Sequence, residues 1–266
     1  MIVVKVGGRV LKANIRAVAE DIVSLWRKGY EVVLVHGGGD VVTEYSTRMG
    51  VNPVFILSPE GVRSRYTTLE ELEVYIMVMA GKINKSIVSA LESFGGRAVG
   101  ISGVDGPTLI AERKKKIVIV DERGRRRVIE GGYTGRIVNV DINLLKLLTE
   151  NKYIPVIAPI ALGEDGTPLN VDGDQAALKI AEALKVDTAI ILTDVGGLIV
   201  EGEIVREVGI GELDTLIHKV GAGMNRKLLQ AREAIIRGVK AVAISSGLGP
   251  QPVTRAIENA GTIIRL

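Results

Sequence analysis

The first eleven residues, MIVVKVGGRVL (Met1–Leu11), decide how the rest of the chain is read. Ile2–Val6 is a run of β-branched residues, the composition of a strand buried on both faces of a parallel sheet. Lys5 interrupts the run, and Gly7 and Gly8 follow at once. On an edge strand such a lysine needs no function. On a central strand its four-carbon stem must thread apolar surroundings to bring the ammonium out at the end of the sheet. Glycines beside it let backbone amides approach a ligand, and a helix starting behind them favours an anion.

The same strand–turn–helix unit recurs along the 266 residues. Glu31–Val35 reads as a second buried strand ending in HGGGD, with Asp40 placed to cap the following helix. Further strands are predicted at Ala98–Ile101, Ile154–Ala158, Thr188–Leu192, Ala241–Ile244 and Thr262–Ile264. Helical spacing covers Asn14–Lys28, Thr68 to about Met79 (with Thr68 and Glu71 as a capping box) and Ile83–Leu91. It returns at about Ile142–Glu150, Gln175–Leu184, Asn225–Ile236 and Val253–Asn259. This alternation predicts an α/β fold, a three-layer α/β/α sandwich around a mainly parallel open sheet. Leu109–Val138 departs from it, with the turns DERGRR and EGGYTG reading as antiparallel hairpins. No linker or internal repeat divides the chain. Residues 1–266 read as a single domain of two lobes around a cleft, about 1–170 and about 171–266, with the break near Leu169–Asp174.

Composition narrows the function. With no cysteine and only His36 and His218, disulfides and thiolate metal sites are excluded and a histidine zinc site is disfavoured, so no metal-binding residues are expected. His36, flanked by apolar residues, reads as a core histidine. No apolar run reaches the ~20 residues that span a bilayer, and there is no signal-peptide pattern, so no membrane association and a cytoplasmic location are expected. A net charge of +3 is not that of a dedicated nucleic-acid binder.

In an open parallel sheet, ligands bind beyond the carboxyl ends of the strands. Gly7-Gly8, Gly37-Gly38-Gly39 and Ser102-Gly103 all fall at such ends. In VGAGMNRKLLQAREAI (220–235), Gly221 and Gly223 precede a helix with Lys227 in its first turn. A cation at the positive end of a helix makes sense if an anion joins them. LNVDGDQAALKIAEAL (169–184) places Asn170, Asp172 and Asp174 before another helix; one is an N-cap, a role that suffices for Asp174, while the other reading is a carboxylate holding two lysines between phosphates. LTDVGGL (192–198) ends a strand with Thr193 and Asp194, consistent with nucleotide contacts. GxxxxGK[ST], GxGxxG and any Ser-His-Asp arrangement are absent.

Taken in order, KVGG (5–8), VHGGG (35–39), GVR (61–63), MAGKINK (79–85), NVDGD (170–174), LTDVGG (192–197) and GMNRK (223–227) resemble the amino-acid kinase family, and within it the N-acetylglutamate kinase group. The resemblance implies transfer of the γ-phosphoryl of ATP, with Mg2+ carried on the nucleotide, to a side-chain carboxylate. It implies that Lys5 and Lys227 stabilise the transition state and that Asp174 orients both. Gly8, Thr193, Asp194 and Gly223 would contact the nucleotide. Gly38 and Gly39 would contact the carboxylate that reacts, and Arg63 and Asn170 the substrate's other carboxylate. By the same analogy the N-terminal lobe holds the acid, the C-terminal lobe the nucleotide, and the enzyme is a homodimer without arginine feedback.

N-acetylglutamate kinases usually resemble GxRVTD where this chain reads GVRSRYTTLEELEVY (61–75). The version with Arg65 and Tyr66 is similar to the branch that phosphorylates 2-aminoadipate or glutamate attached through its amino group to a small acidic carrier protein. Arg113–Arg127, RKKKIVIVDERGRRR, holds eight basic residues against two acids on the predicted hairpins. No aromatic interleaves them to stack bases, which argues against nucleic acid. An acidic protein partner fits, with Arg65, Arg113, Lys114, Arg125 and Arg126 as expected contacts. The alternatives are N-acetylglutamate kinase acting on the free acid, a phosphate kinase of the same fold, and a basic RNA-binding protein that keeps only the fold.

Overall fold

A computed structural model describes all 266 residues. The chain runs β1 (Ile2–Val6), α1 (Gly8–Arg27), β2 (Val32–His36), α2 (Gly39–Arg48), the hairpin β3 (Val54–Leu57) and β4 (Arg63–Tyr66), and α3 (Leu69–Ile76). A π-helical stretch, Met77–Ile83, joins α3 to α4 (Asn84–Ser93). There follow β5 (Ala98–Ser102), β6 (Leu109–Arg113), β7 (Lys116–Val120), β8 (Arg126–Glu130), β9 (Gly135–Val140) and α5 (Asn143–Glu150). Next come β10 (Ile154–Ala158), β11 (Ile160–Gly163), β12 (Pro168–Asn170), α6 (Gly173–Leu184) and β13 (Thr188–Thr193). The chain closes with β14 (Ile199–Val200), β15 (Glu203–Ile204), β16 (Glu207–Gly209), α7 (Leu213–Ile217), α8 (Ala222–Ile236), β17 (Ala241–Ser246), α9 (Pro252–Ile257) and β18 (Thr262–Arg265).

Eight strands form one sheet in the order β16-β18-β17-β13-β1-β2-β10-β5. The six from β17 to β5 are parallel; β18 runs antiparallel to β17, and β16 follows β18. β1 is therefore central, with Lys5 registered between Ile191 and Val35. Alternate residues bury into opposite layers: Val3, Val33, Ile157 and Ile191 meet the apolar faces of α6 and α8, while Val4, Leu34, Val156 and Ile190 meet those of α1 and α4. The result is the expected α/β/α sandwich.

The hairpin region is more entwined than its sequence indicates. β7 and β8 form a separate antiparallel hairpin, whereas β6 pairs antiparallel with β9 and parallel with β11, extended by β12. This second sheet lies beside the carboxyl ends of β1, β2 and β10 and walls one side of the cleft.

Three local expectations are corrected. α1 starts at Gly8 rather than Asn14; Asn14 is a non-helical kink (φ −145°, ψ 26°) whose amide donates to the carbonyls of Gly247 and Gly249, at 2.8 and 2.7 Å. Asp40 lies inside the first turn of α2 and does not cap it; Gly38 occupies the N-cap. Leu69–Ser93 is one unbroken helical stretch of 25 residues, and by length and composition it is apolar enough to cross a membrane. In the fold it is a core helix: Leu72, Val74, Val78, Met79, Ile87 and Leu91 are buried. Thr68 caps it as predicted, accepting from the Glu71 amide, but the Glu71 side chain turns away to Arg65.

Candidate active site

β1 and β2 end side by side, so the turns that follow them touch. A Cβ on Gly8 would lie 2.9 Å from the backbone nitrogen and Cα of Gly38, and only glycines let the two turns pack this closely. The helices behind them, α1 and α2, start at Gly7 and Gly38 with no side-chain cap, which leaves their first amides available to an anion. Met79 and Ile83, on the π-helical stretch, press on Gly38 from behind. Asn84 fixes the same corner: its amide donates to the Val156 carbonyl at 2.8 Å and sits 3.3 Å from His36 Nε2. His36 Nδ1 faces the Gly37 carbonyl at 3.2 Å, the tautomer in which Nδ1 donates and Nε2 accepts. Burial, above all, pushes this imidazole down to about 4, so it is neutral and structural.

Lys5 emerges beside these glycines, and its ammonium lies 2.8 Å from Asp174 Oδ1. Lys227, from the first turn of α8, pairs with the other oxygen of the same carboxylate. One buried aspartate thus bridges two lysines 222 positions apart in the chain. Burial alone would push the Asp174 carboxyl up; the ammonium charges of Lys5 and then Lys227 outweigh it and hold it at about 2. Asp174 is free for this because Asp172 is the N-cap of α6, accepting from the Gln175 amide at 2.9 Å. The capping role that would have sufficed for Asp174 therefore belongs to its neighbour.

These groups open on a cleft of about 650 Å³ lined mainly by polar residues and glycines. Gly8, Gly38, Gly39, Arg63, Asn170 and Asp174 all line it. Arg63 stacks on Phe55 at 3.8 Å from the ring centroid, a cation presented to the cleft by the β3–β4 hairpin. The Asn170 side-chain amide donates to Thr67 Oγ1 at 2.9 Å, and its second N–H remains for a ligand in the same space. A smaller cavity of about 230 Å³ continues past Gly8 and Gly39 to Thr193 and Asp194 at the end of β13. Gly223 lies at the exposed start of α8 and borders neither cavity.

The expected carrier contacts divide. Arg65 is not a surface contact: its side chain is buried, paired with the buried Glu71, and donates to the Gly39 carbonyl at 2.8 Å and to Thr43. Its fork holds α2 and Gly39 in place from inside. Arg113 donates to the Gly132 carbonyl at 2.7 Å and stacks on Tyr133. Arg125 is tied to Asp121 at 3.2 Å, whereas Lys114 and Arg126 line open space between the hairpins. Two residues escaped the sequence reading. Arg226, adjacent to Lys227, pairs with Asp172 and locks the starts of α6 and α8 together. Arg9 reaches Asp194 at 2.9 Å and Asp40 at 3.7 Å across the smaller cavity. Only the juxtaposition of basic residues with KVGG and GMN hinted at either.

Two uncapped helix starts, two lysines on one carboxylate and a polar cleft define a site for handling phosphate within a parallel α/β sandwich. The chain belongs to the amino acid kinase family, whose model matches residues 1–246. It is 52% identical over 265 residues, 99% of each chain, to a protein of Saccharolobus solfataricus named [LysW]-aminoadipate/[LysW]-glutamate kinase. A protein of the same name from Metallosphaera sedula is 49% identical over 99% of this chain and all of its own. Among solved structures, N-acetylglutamate synthase of Neisseria gonorrhoeae superposes with a TM-score of 0.82 at 23% identity, covering all of this chain and 59% of that longer one, which speaks for the fold alone.

Proposed function

We propose that this chain phosphorylates the side-chain carboxylate of 2-aminoadipate or glutamate while the amino group of that acid is attached to an acidic carrier protein. The observation that carries the reading is the bridge of Asp174 between Lys5 and Lys227 at the mouth of the glycine turns. The names of relatives identical at half of all positions support the carrier-linked acid.

A carboxylate is ionised at neutral pH and needs no general base. One of its oxygens bonds to the γ-phosphorus, and the bond from that phosphorus to the β,γ-bridging oxygen breaks. ADP leaves with the electron pair, so acyl phosphate and ADP are the products and no proton moves. What the protein supplies is alignment and positive charge. Lys5 and Lys227 sit where charge accumulates on the transferring group, and Asp174 keeps the two ammoniums from drifting apart. The amides at Gly8 take phosphate oxygens, those at Gly38 and Gly39 the reacting carboxylate. Arg63 and Asn170 hold the other carboxylate, with guanidinium suited to a bidentate pair. Thr193 and Asp194 contact the nucleotide across the smaller cavity. Mg2+ carried on the nucleotide's own phosphates would neutralise part of their charge.

In this reading residues 1–170 form the acid lobe and 171–266 the nucleotide lobe, the chain works as a cytoplasmic homodimer, and nucleic acid and membrane play no part. The basic residues on and just before the β7–β8 hairpin steer the acidic partner, Arg126 and Lys114 foremost. ATP turnover with carrier-linked glutamate and aminoadipate, set against free N-acetylglutamate, tests the reading. Hydroxylamine-trapped acyl phosphate should appear with the carrier-linked acids. Turnover of the free acid alone would make the chain an N-acetylglutamate kinase instead.

A further inference from the structure

The smaller cavity, assigned above to the nucleotide, has two walls. One is the opening turn of α1, from Gly7 to Val10; the other is Thr193 and Asp194 at the end of β13. A single residue stands behind both. Gly247, buried just past β17, donates its amide to the Thr193 carbonyl at 2.8 Å. Its α-carbon packs so closely on Val10 that a Cβ there would fall within the valine side chain. Where Gly247 sits therefore sets how far apart the two walls stand.

Beyond Gly247 the chain runs through Leu248–Gln251, an exposed loop with two glycines that has little to fix it locally. Asn14 holds it from α1. Both hydrogens of its side-chain amide are used, on the carbonyls of Gly247 at 2.8 Å and Gly249 at 2.7 Å, and two acceptors settle which end of the side chain is nitrogen. The same residue breaks α1, with φ −145° and ψ 26°. Neither proline nor glycine occurs between Arg9 and Arg27, so the kink comes from this reach across to the loop. Two turns further on, Asp21 accepts from the amides of Val253 and Thr254, at 2.7 and 2.9 Å, and caps α9. α1 is thus pinned to the β17–α9 segment at two points, and only the first involves Gly247.

We infer that Asn14 is a positioning residue for the nucleotide. It fixes the direction of the opening turn of α1 and the place of Gly247 together, and so keeps the Gly8 amide and Thr193 at the separation the nucleotide spans. Asn14 borders neither cavity and acts only through these neighbours. The role rests on the reading above in which Gly8, Thr193 and Asp194 contact the nucleotide, and it adds the residue that sets their spacing. The acid's partners, Gly38, Gly39, Arg63 and Asn170, lie outside this clamp, so nucleotide and acid should respond differently to its loss.

Asn14→Asp keeps the shape of the side chain, removes both donors and sets a carboxylate against two carbonyls. Calorimetric titration with AMP-PNP, a non-hydrolysable ATP analogue, should give an affinity about tenfold or more below wild type, the scale of one hydrogen bond lost. In steady-state assays the KM for ATP should rise in step, while the KM for carrier-linked glutamate stays within about twofold. Asn14→Ser loses the same reach without adding charge; it should weaken AMP-PNP likewise and serves where the aspartate variant does not fold. Asp21→Ala removes the far pin and is the control for structure alone: its urea midpoint should fall, with AMP-PNP affinity within about twofold of wild type. A folded Asn14 variant that binds AMP-PNP as wild type does, or an equal loss in Asp21→Ala, overturns the inference. If the wild type meanwhile phosphorylates carrier-linked glutamate, only the positioning role is lost. A wild type that binds AMP-PNP, is weakened by Asn14→Asp and leaves carrier-linked glutamate untouched would sink the carrier reading and keep the positioning role. A wild type that binds no AMP-PNP would sink both.

Discussion

Replacing Asp174 by asparagine keeps the shape of the bridge and removes its charge. At an effective dielectric near 20, an ammonium 2.8 Å from a carboxylate feels a gross attraction of about 6 kcal/mol, and two ammoniums about 5 Å apart repel by about 3 kcal/mol. Without the carboxylate, Lys5 and Lys227 push each other away from the line of transfer. If about 3–4 kcal/mol of that misalignment persists in the transition state, kcat falls by about 10²–10³. Saturating nucleotide restores little, because a triphosphate meets the same two cations in the ground state; the KM for ATP should move by less than about threefold. Coupled ADP release measures both constants, and circular dichroism checks that the protein is folded. A folded Asp174→Asn enzyme with kcat within threefold of wild type would refute the reasoning, since the two lysines would then align without their bridge. A double-mutant cycle with Lys227→Met sharpens it: the two losses should be far from additive.

Other consequences follow from the same geometry. Gly8→Ala drives a methyl group against the Gly38 backbone, at 2.9 Å from its nitrogen, so the turns must part; an activity loss of about 10² with a folded protein is expected in steady-state kinetics. Arg65→Met strands Glu71 as a buried charge and should cost about 3–5 kcal/mol in urea unfolding, whereas a true surface contact would cost almost nothing. His36 is held neutral with its value near 4 against 6.5 unfolded, so the unfolded chain binds the extra proton between those limits. Stability present above pH 6.5 should therefore fall by about 3 kcal/mol as the pH drops toward 4, and denaturant melts of His36→Gln should show a flatter profile over that window.

The strands and their order of appearance were written locally, in β-branched runs and glycine turns, because backbone preference and alternation of burial act over a few residues. Ile154–Ala158 was read to the residue, and Thr68 was recognised as a cap from its own neighbourhood. KVGG and GMNRK were likewise visible as places for an anion. What the chain could not reveal by itself was which residues meet. That β1 is central, and Lys5 therefore constrained, depends on strand order. That Asp172 rather than Asp174 caps α6 shows only in the packed structure, where α8 offers Arg226 to one and Lys227 to the other. Nothing local marks Arg65 or Arg226 as an internally paired residue; Glu71 and Asp172 reach them only in the folded chain. Asn14 and the π-helical stretch were missed for the same reason: their partners, Gly247, Gly249 and Gly38, lie far along the chain. Local sequence sets the conformation of each segment, but an ion pair, a close glycine contact or a shared cavity is a relation between distant segments, and only the packed sheet fixes those distances.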